Sequence, residues 1–475
     1  MQTCKQFYIN GEWLQPSEDQ LCDVSNPATE RSCGTITMGT VADVDRAVIA
    51  ARHAFEFYSK TSKSERLELL QQILTVFTNR SDDFADLVRQ EIGAPISLAK
   101  EVHVGGGIAN LAAVIEAYKN YHHHQRQGST LITHEAIGVC GLIMPWNFPL
   151  GITLSAVAPA LAVGCTVVLK PSEIAPLSSH LIAEVMHEAG VPAGVFNLVD
   201  GDGPTVGHAI ASHPGIDKVS FTGSTVSGIA VAKAAADTVK RVSQELGGKS
   251  ANIIFDDVDL DTVIPASVTS CFLNSGQNCI APSRLLVPRT MLQRCTELAK
   301  TTAESVVIGD PQLPETELGP VISQTQYQRI QTLIKQGIEE DAELVCGGLG
   351  KPEGLETGYF VKPTIFSSVN NDMSIAQQEI FGPVLVIIAY DDEAEAIRLA
   401  NDTAYGLAAY IQCSDPETAK RAAEQMQAGL VFVNGGPLDL TAPLGGYKQS
   451  GNGLGWGVYG LEEFMESKSI TGLPI

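Results

Sequence analysis

Hydrophobic and polar positions along the chain change rhythm near residue 138. Before that point one short run, "QFYINGEWL" (6–14), reads as β structure. Three helical periods follow it. Asp43 and Asp45 open a segment in which Val44, Ala47, Val48, Ala51 and Phe55 recur at helical spacing. Ser62 and Glu65 form a capping-box pattern ahead of "RLELLQQILTVF" (66–77). A third helix, "SDDFADLVRQEIG" (81–93), is expected to stop at Gly93 and Pro95. From Gly138 short β-rich runs alternate with helical ones. "IGVCGLIM" leads to "LSAVAPALAVG", "TVVLK" to "SSHLIAEVMHEAG" and "DKVSFTG" to "STVSGIAVAKAAA", and "VKRVSQEL" closes the run. Such alternation predicts a parallel sheet with right-handed crossovers. Sheets of this kind bind ligands at the carboxyl ends of their strands. After Gly247-Gly248 a second alternating region opens with "SANIIFDD" and continues through "PVLVIIAY" and "AGLVFVNGG". The glycine pair reads as a hinge between two α/β units. The stretch 118–135 interrupts the first unit, and its "STLITHE" is expected to form an arm that pairs elsewhere.

Composition narrows the function classes. A chain of 475 residues is too long for one ordinary core and implies two or three structural units. The net charge of −23 argues against a nucleic-acid partner, because no basic surface is available to displace counterions. One uncharged run, 148–169, is long enough to span a bilayer. Pro149, Gly151, Pro159 and Gly164 interrupt it, so it reads as a buried helix followed by a buried strand, and no membrane partner is expected. The start, "MQTCKQFYINGEW", has no apolar core of signal-peptide length, so a cytoplasmic location is expected. None of the ten cysteines shows CxxC spacing, which argues against a zinc ribbon or redox pair. His122, His123 and His124 are consecutive and cannot share a face; they read as a solvated run, and no metal is expected. One cysteine is oddly placed. Cys279 lies in "FLNSGQNCIAPSR", flanked by Gln277, Asn278 and Gly276, whereas buried structural thiols usually have apolar neighbours. From these residues alone it is a nucleophile or one more buried thiol.

Two glycine clusters compete as a nucleotide cradle. "GDGPTVG" (201–207) and "TGSTVSG" (222–228) each follow a strand-like run, and neither matches GxGxxG. The second is better built for the task. A glycine leaves the strand, Ser224 and Thr225 can cap the helix, and free N–H groups there can hold a pyrophosphate. "LKPSE" (169–173) ends another strand, where a carboxylate can accept ribose hydroxyls and would repel a 2′-phosphate.

Taken in order, "PWNFP" (145–149), "KPSE" (170–173), "FTGST" (221–225), "ELGGK" (245–249), "GQNC" (276–279), "EIFGPV" (379–384) and "PLGGYKQSG" (443–451) resemble the aldehyde dehydrogenase superfamily over nearly the whole chain. The resemblance implies an α/β fold with a Rossmann-like parallel-sheet cofactor domain, a second α/β catalytic domain and a small β oligomerisation arm. The expected boundaries are 1–117 with 139–247 for NAD binding and 248–445 for catalysis. Segments 118–138 and 446–475 are the expected arm and tail of a homodimer or homotetramer. The resemblance assigns Cys279 as nucleophile, Glu245 as general base and Asn147 as oxyanion donor. It assigns Pro145, Trp146, Lys170, Ser172, Glu173, Gly203, Phe221, Gly223, Ser224, Leu246, Glu379 and Phe381 to the cofactor, NAD in preference to NADP. The implied activity is oxidation of a small-molecule aldehyde to the acid through a thiohemiacetal and a thioester on Cys279. The alternatives are transfer of the thioester to coenzyme A, disfavoured because such members generally lack the base, and a silent relative, disfavoured by the cysteine. Two departures stand out. Leu454-Gly455 replace the usual Arg-Glu pair and Leu444 replaces a phenylalanine; both are expected to bear on the subunit interface.

Overall fold

The structure is a computed structural model in which residues 2–473 are described. Met1 of the expected first domain and residues 474–475 of the expected tail lie outside the described residues. The early helices form as patterned: Val41–Tyr58, Lys63–Asn79 and Ser81–Ile92. The Ser62/Glu65 capping box is made, and Gly93 ends the third helix at φ +78°. The uncharged run becomes a buried helix, Pro149–Val163, and a buried strand, Thr166–Lys170.

Two large sheets organise the chain. The first has eight strands. Its parallel centre runs Arg241–Glu245, Lys218–Thr222, Val139–Ile143, Thr166–Lys170, Phe196–Leu198 in spatial order. The Phe7–Ile9 and Glu12–Leu14 hairpin adds antiparallel strands at one edge. At the other edge Gly451–Asn452 pairs antiparallel with the Glu245 strand. The second sheet has seven strands, all parallel except Glu343–Cys346, and contains Ala251–Ile254, Arg284–Pro288, Val384–Tyr390, Ala408–Gln412 and Leu430–Val433. The inner strands Val139–Ile143 and Thr166–Lys170 of the first sheet and Arg284–Pro288 and Ala251–Ile254 of the second are buried along their whole length, as strands covered on two faces must be.

The arm pairs within this chain. Thr130–Ala136 forms a three-stranded sheet with His124–Gln127 and with Met465–Thr471 near the end. His123 is not simply solvated: it is half-buried against Tyr118 and Tyr121, and one ring nitrogen bonds the His134 carbonyl. Among the described residues no group of His, Cys, Asp or Glu could hold a metal ion, and no helix is long and apolar enough to cross a membrane.

Gly247 and Gly248 are required by close packing rather than as a flexible joint. A Cβ on Gly247 would lie 2.4 Å from a Glu379 carboxylate oxygen, and one on Gly248 would lie 2.4 Å from the Cys279 carbonyl oxygen. The pair holds the two sheets' edges together at the candidate nucleophile.

Candidate active site

The strand ends of the first sheet carry the predicted residues along one edge. Trp146 and Asn147 follow Val139–Ile143; Lys170 ends its strand; Gly223 and Ser224 follow Lys218–Thr222; Glu245 ends its own. Opposite them, the turn 273–279 delivers Cys279. That turn is unusual. Asn274, Ser275 and Gly276 adopt successive left-handed conformations at φ +54°, +59° and +71°. Two non-glycine residues there cost on the order of 1–3 kcal/mol each. The surroundings hold them: Asn274 Nδ2 donates to the Asn147 carbonyl at 2.9 Å, and Ser275 Oγ donates to the Gly319 carbonyl at 2.8 Å. Gln277 Oε1 accepts from the Ile322 N–H at 2.8 Å while its Nε2 donates to the Asn274 carbonyl. Gln277 is therefore a loop pin. Asn278 caps the next turn, accepting from the Ile280 N–H. Gly276 does not open an approach to the thiol; a Cβ there would lie 2.0 Å from the Gly382 carbonyl oxygen.

Cys279, Asn147 and Glu245 line one cavity with Pro145, Trp146, Gly223, Ser224, Leu246, Glu379 and Phe381. About 170 Å³ of it is open to water. Trp146 and Phe381 meet edge-to-face at 5.3 Å and form one wall. Glu379 Oε1 accepts from the Gly248 N–H at 3.1 Å. Asn147 Nδ2 donates to the Gln277 carbonyl at 3.2 Å, which fixes the amide next to the thiol and leaves its second N–H for another acceptor.

Burial dominates the electrostatics. It pushes the Cys279 thiol up to about 12, with Glu379 and Glu245 adding repulsion, so the resting sulfur is a thiol. Burial also raises the Glu245 carboxyl to about 8, with Glu463 contributing. Glu379 is raised, again first by burial.

Other predicted residues lie elsewhere. Lys170 is buried, and its ammonium donates to the Pro171 and Gly201 carbonyls at 2.7 and 2.6 Å and to Glu173 at 3.3 Å. Lys170, Ser172, Glu173 and Gly203 thus form a second group at neighbouring strand ends, three strand spacings (about 14 Å) from the Glu245 strand. Phe221 is a core residue, and Gly223 is small because a Cβ there would lie 2.7 Å from the Phe221 ring. The Gly223 N–H is not free for a phosphate; it donates to the Glu245 carbonyl at 3.0 Å. Ser224 does cap its helix, accepting from the Ser227 N–H.

Sequence reasoning missed four cavity residues, Thr222, Gly247, Gln326 and Arg329. Gln326 and Arg329 are one turn apart on Gln324–Glu339 and bond the Phe381 and Glu379 carbonyls at 2.9 and 2.8 Å. Their helical spacing was the available signal. Leu444, Leu454 and Gly455 line a cavity that contains Glu245.

A sequence model of the aldehyde dehydrogenase family matches residues 13–470, and the chain belongs to that family. Over 473 residues it is 51% identical to a Pseudomonas sp. 3-succinoylsemialdehyde-pyridine dehydrogenase, spanning 99% of both proteins. It is similar to a crystal structure of a mutant aldehyde dehydrogenase C from Pseudomonas syringae complexed with NAD+ and octanal. There the TM-score is 0.98 at 47% identity, over 98% of this chain and 96% of that one. A Mycobacterium tuberculosis aldehyde dehydrogenase complexed with NAD+ gives a TM-score of 0.97 at 39% identity, over 100% of this chain and 99% of that one.

Proposed function

We propose that the protein oxidises an aldehyde to the carboxylic acid with NAD, using Cys279 as nucleophile, Asn147 as oxyanion donor and Glu245 as general base. The observation that carries the reading is the convergence of these three side chains, distant in sequence, on one cavity walled by Trp146, Phe381 and Glu379. The donor set suits a dinucleotide laid along the strand ends. The Lys170/Glu173/Gly203 group fits the adenosine half, the capped turn at Ser224 the phosphates, and the cavity the nicotinamide half. Glu173 at the ribose end favours NAD over NADP.

Cys279 Sγ, once ionised, adds to the aldehyde carbon, and the carbonyl oxygen becomes an oxyanion. The second N–H of Asn147 and the Cys279 backbone N–H hold it in this reading, each donor typically contributing about 3 kcal/mol. NAD, when bound, supplies the hydride acceptor and a positive charge. The thioester left on Cys279 is cleaved by water. Glu245 takes that water's proton, a task suited by its pKa of about 8 near operating pH. The acid departs, and Cys279 leaves as a thiolate that takes back from solvent the proton it shed on ionising.

A cytoplasmic location and homo-oligomeric assembly complete the reading, the latter through the arm sheet of 124–136 and 465–471. The functional test is a panel of aliphatic, aromatic and semialdehyde substrates with NAD, scoring NADH and the acid. NADH with stoichiometric acid and no need for coenzyme A is expected. NADH formation only with coenzyme A would overturn the hydrolytic reading.

A further inference from the structure

Each turnover of aldehyde, NAD and water to carboxylate and NADH releases two protons. One of them reaches Glu245 from the hydrolytic water. That proton has to reach solvent before Glu245 can act again.

Glu245 borders two cavities. One is the Cys279 cavity. The other lies behind it, lined by Lys218, Ser220, Thr222 and Ser243, with Leu454 and Glu463 closing the far side. The strand register explains the polar lining. Lys218, Ser220 and Thr222 alternate along one strand, facing Arg241, Ser243 and Glu245 on the next. Alternate residues share a face, so a polar stripe runs from the base into an otherwise apolar interior. The cavity leaves about 50 Å³ open to water, where a single water needs roughly 10–15 Å³ by the same measure. A third, surface cavity shares Lys218, Ser243, Leu454 and Glu463 with it and continues to Arg241, Asn452 and Glu466. Three cavities with shared walls thus lie between Cys279 and the surface.

Their junction is an ion-paired cluster. Lys218 Nζ meets Glu463 at 2.9 Å and also bonds Ser243 Oγ, which donates to Glu463 Oε2. Glu463 Oε1 accepts from the Leu454 N–H at 2.9 Å. A buried Lys–Glu pair is a poor stabilising device, since desolvation offsets most of its attraction. Its position at the only residues common to the second and third cavities gives it another use. Leu454 and Gly455 add no charge or bulk to this junction.

We propose that the proton taken up by Glu245 leaves through this second cavity, over water and Ser243 to Glu463 and on to bulk solvent. The inference rests on Glu245 being the base. The transfers balance: the Glu245 carboxyl gives its proton to the path and returns to carboxylate, Glu463 gains and loses one proton, and bulk water receives it. Lys218 stays charged as counter-ion. Burial works to raise Glu463, but Lys218 and Ser243 outweigh it and hold the carboxyl below its ordinary range. A proton arriving there passes on rather than resting. Glu463 is a relay residue, remote from Cys279.

The test uses the full-length enzyme with NAD and a turned-over aldehyde, comparing Glu463→Gln, Glu463→Asp and Leu454→Phe. Glu463→Gln should keep the rate and amplitude of the first NADH turnover and lose at least tenfold in steady-state kcat. Small weak bases such as imidazole should restore that kcat in proportion to concentration, by accepting the proton in place of the path, an effect no structural defect would show. Glu463→Asp should retain most activity. Leu454→Phe, which plugs the junction without touching the charges, should slow the steady state alone. Unchanged kcat in both Glu463→Gln and Leu454→Phe, or a loss not rescued by weak bases, would overturn the path. A raised KM with unchanged kcat in Leu454→Phe would make the cavity a substrate pocket instead. Glu245→Gln separates the two readings: if it turns over normally the base assignment fails, and if it alone is slow only the path fails.

Discussion

Replacing Glu245 by glutamine separates the two halves of the reaction. The substitution keeps the side chain's shape and removes its ability to accept a proton. Attack, oxyanion stabilisation and hydride loss depend on Cys279 and Asn147, so the first NADH per site should form at near its normal rate. Hydrolysis loses its base. General-base contributions run at about 10²–10⁴-fold, so steady-state kcat should fall by that factor, roughly 3–5 kcal/mol of barrier. The same substitution should stabilise the fold. An ordinary glutamate is ionised at pH 7, whereas burial raises this carboxyl to about 8, so folding must take up a proton. A raised folded-state pKa gives stability that is full below the unfolded pKa and is lost as pH rises through the folded one. Glutamine escapes that loss. The gain at pH 7 is on the order of 2 kcal/mol, discounted for the part of the side chain open to the cavity. Stopped-flow absorbance reads the burst and denaturant unfolding reads the stability. A linear NADH trace at the wild-type rate would refute the role of Glu245. Unchanged stability would refute its strained ionisation.

Further outcomes follow from the same geometry. In the wild type, kcat limited by hydrolysis should rise with pH to a plateau, with an apparent pKa near 8 reporting the Glu245 carboxylate; a profile flat from pH 6 to 9 would contradict it. Asn147→Ala should cost about 10²–10³ in the first-turnover rate, as loss of one oxyanion donor does, with little change in stability measured by Tm. Because burial holds the Cys279 thiol near 12, iodoacetamide should label it slowly in the free protein and faster once NAD is added; equal rates would show that the cofactor's charge does not reach the sulfur. Gly276→Ala, placing a Cβ 2.0 Å from the Gly382 carbonyl at φ +71°, should lower Tm and activity together, whereas Gly106→Ala, with nothing within 4 Å, should be neutral or slightly stabilising.

Much of this was legible in the sequence, for identifiable reasons. Helices announced by period and caps, such as the one after Ser62, form where expected because local hydrogen bonds decide them. The parallel sheet followed from strand–helix alternation. Motif order brought Asn147, Glu245 and Cys279 forward as partners, though nothing in their spacing places them in one cavity. What was hidden is long-range. Lys218 starts its strand, yet it is buried because Glu463, far along the chain, returns to pair with it. Gly276 and Gly223 are small because the Gly382 backbone and the Phe221 ring come close. Leu454-Gly455 looked like an interface detail and lies beside the base, because Gly451–Asn452 adds a strand to the Glu245 edge.

The covalent intermediate tests the central claim most directly. Glu245→Gln, mixed with NAD and excess aldehyde and quenched in acid, should carry one acyl group per chain on the peptide containing Cys279, and Cys279→Ala treated identically should carry none. An unmodified Cys279 peptide during active NADH formation would contradict the account.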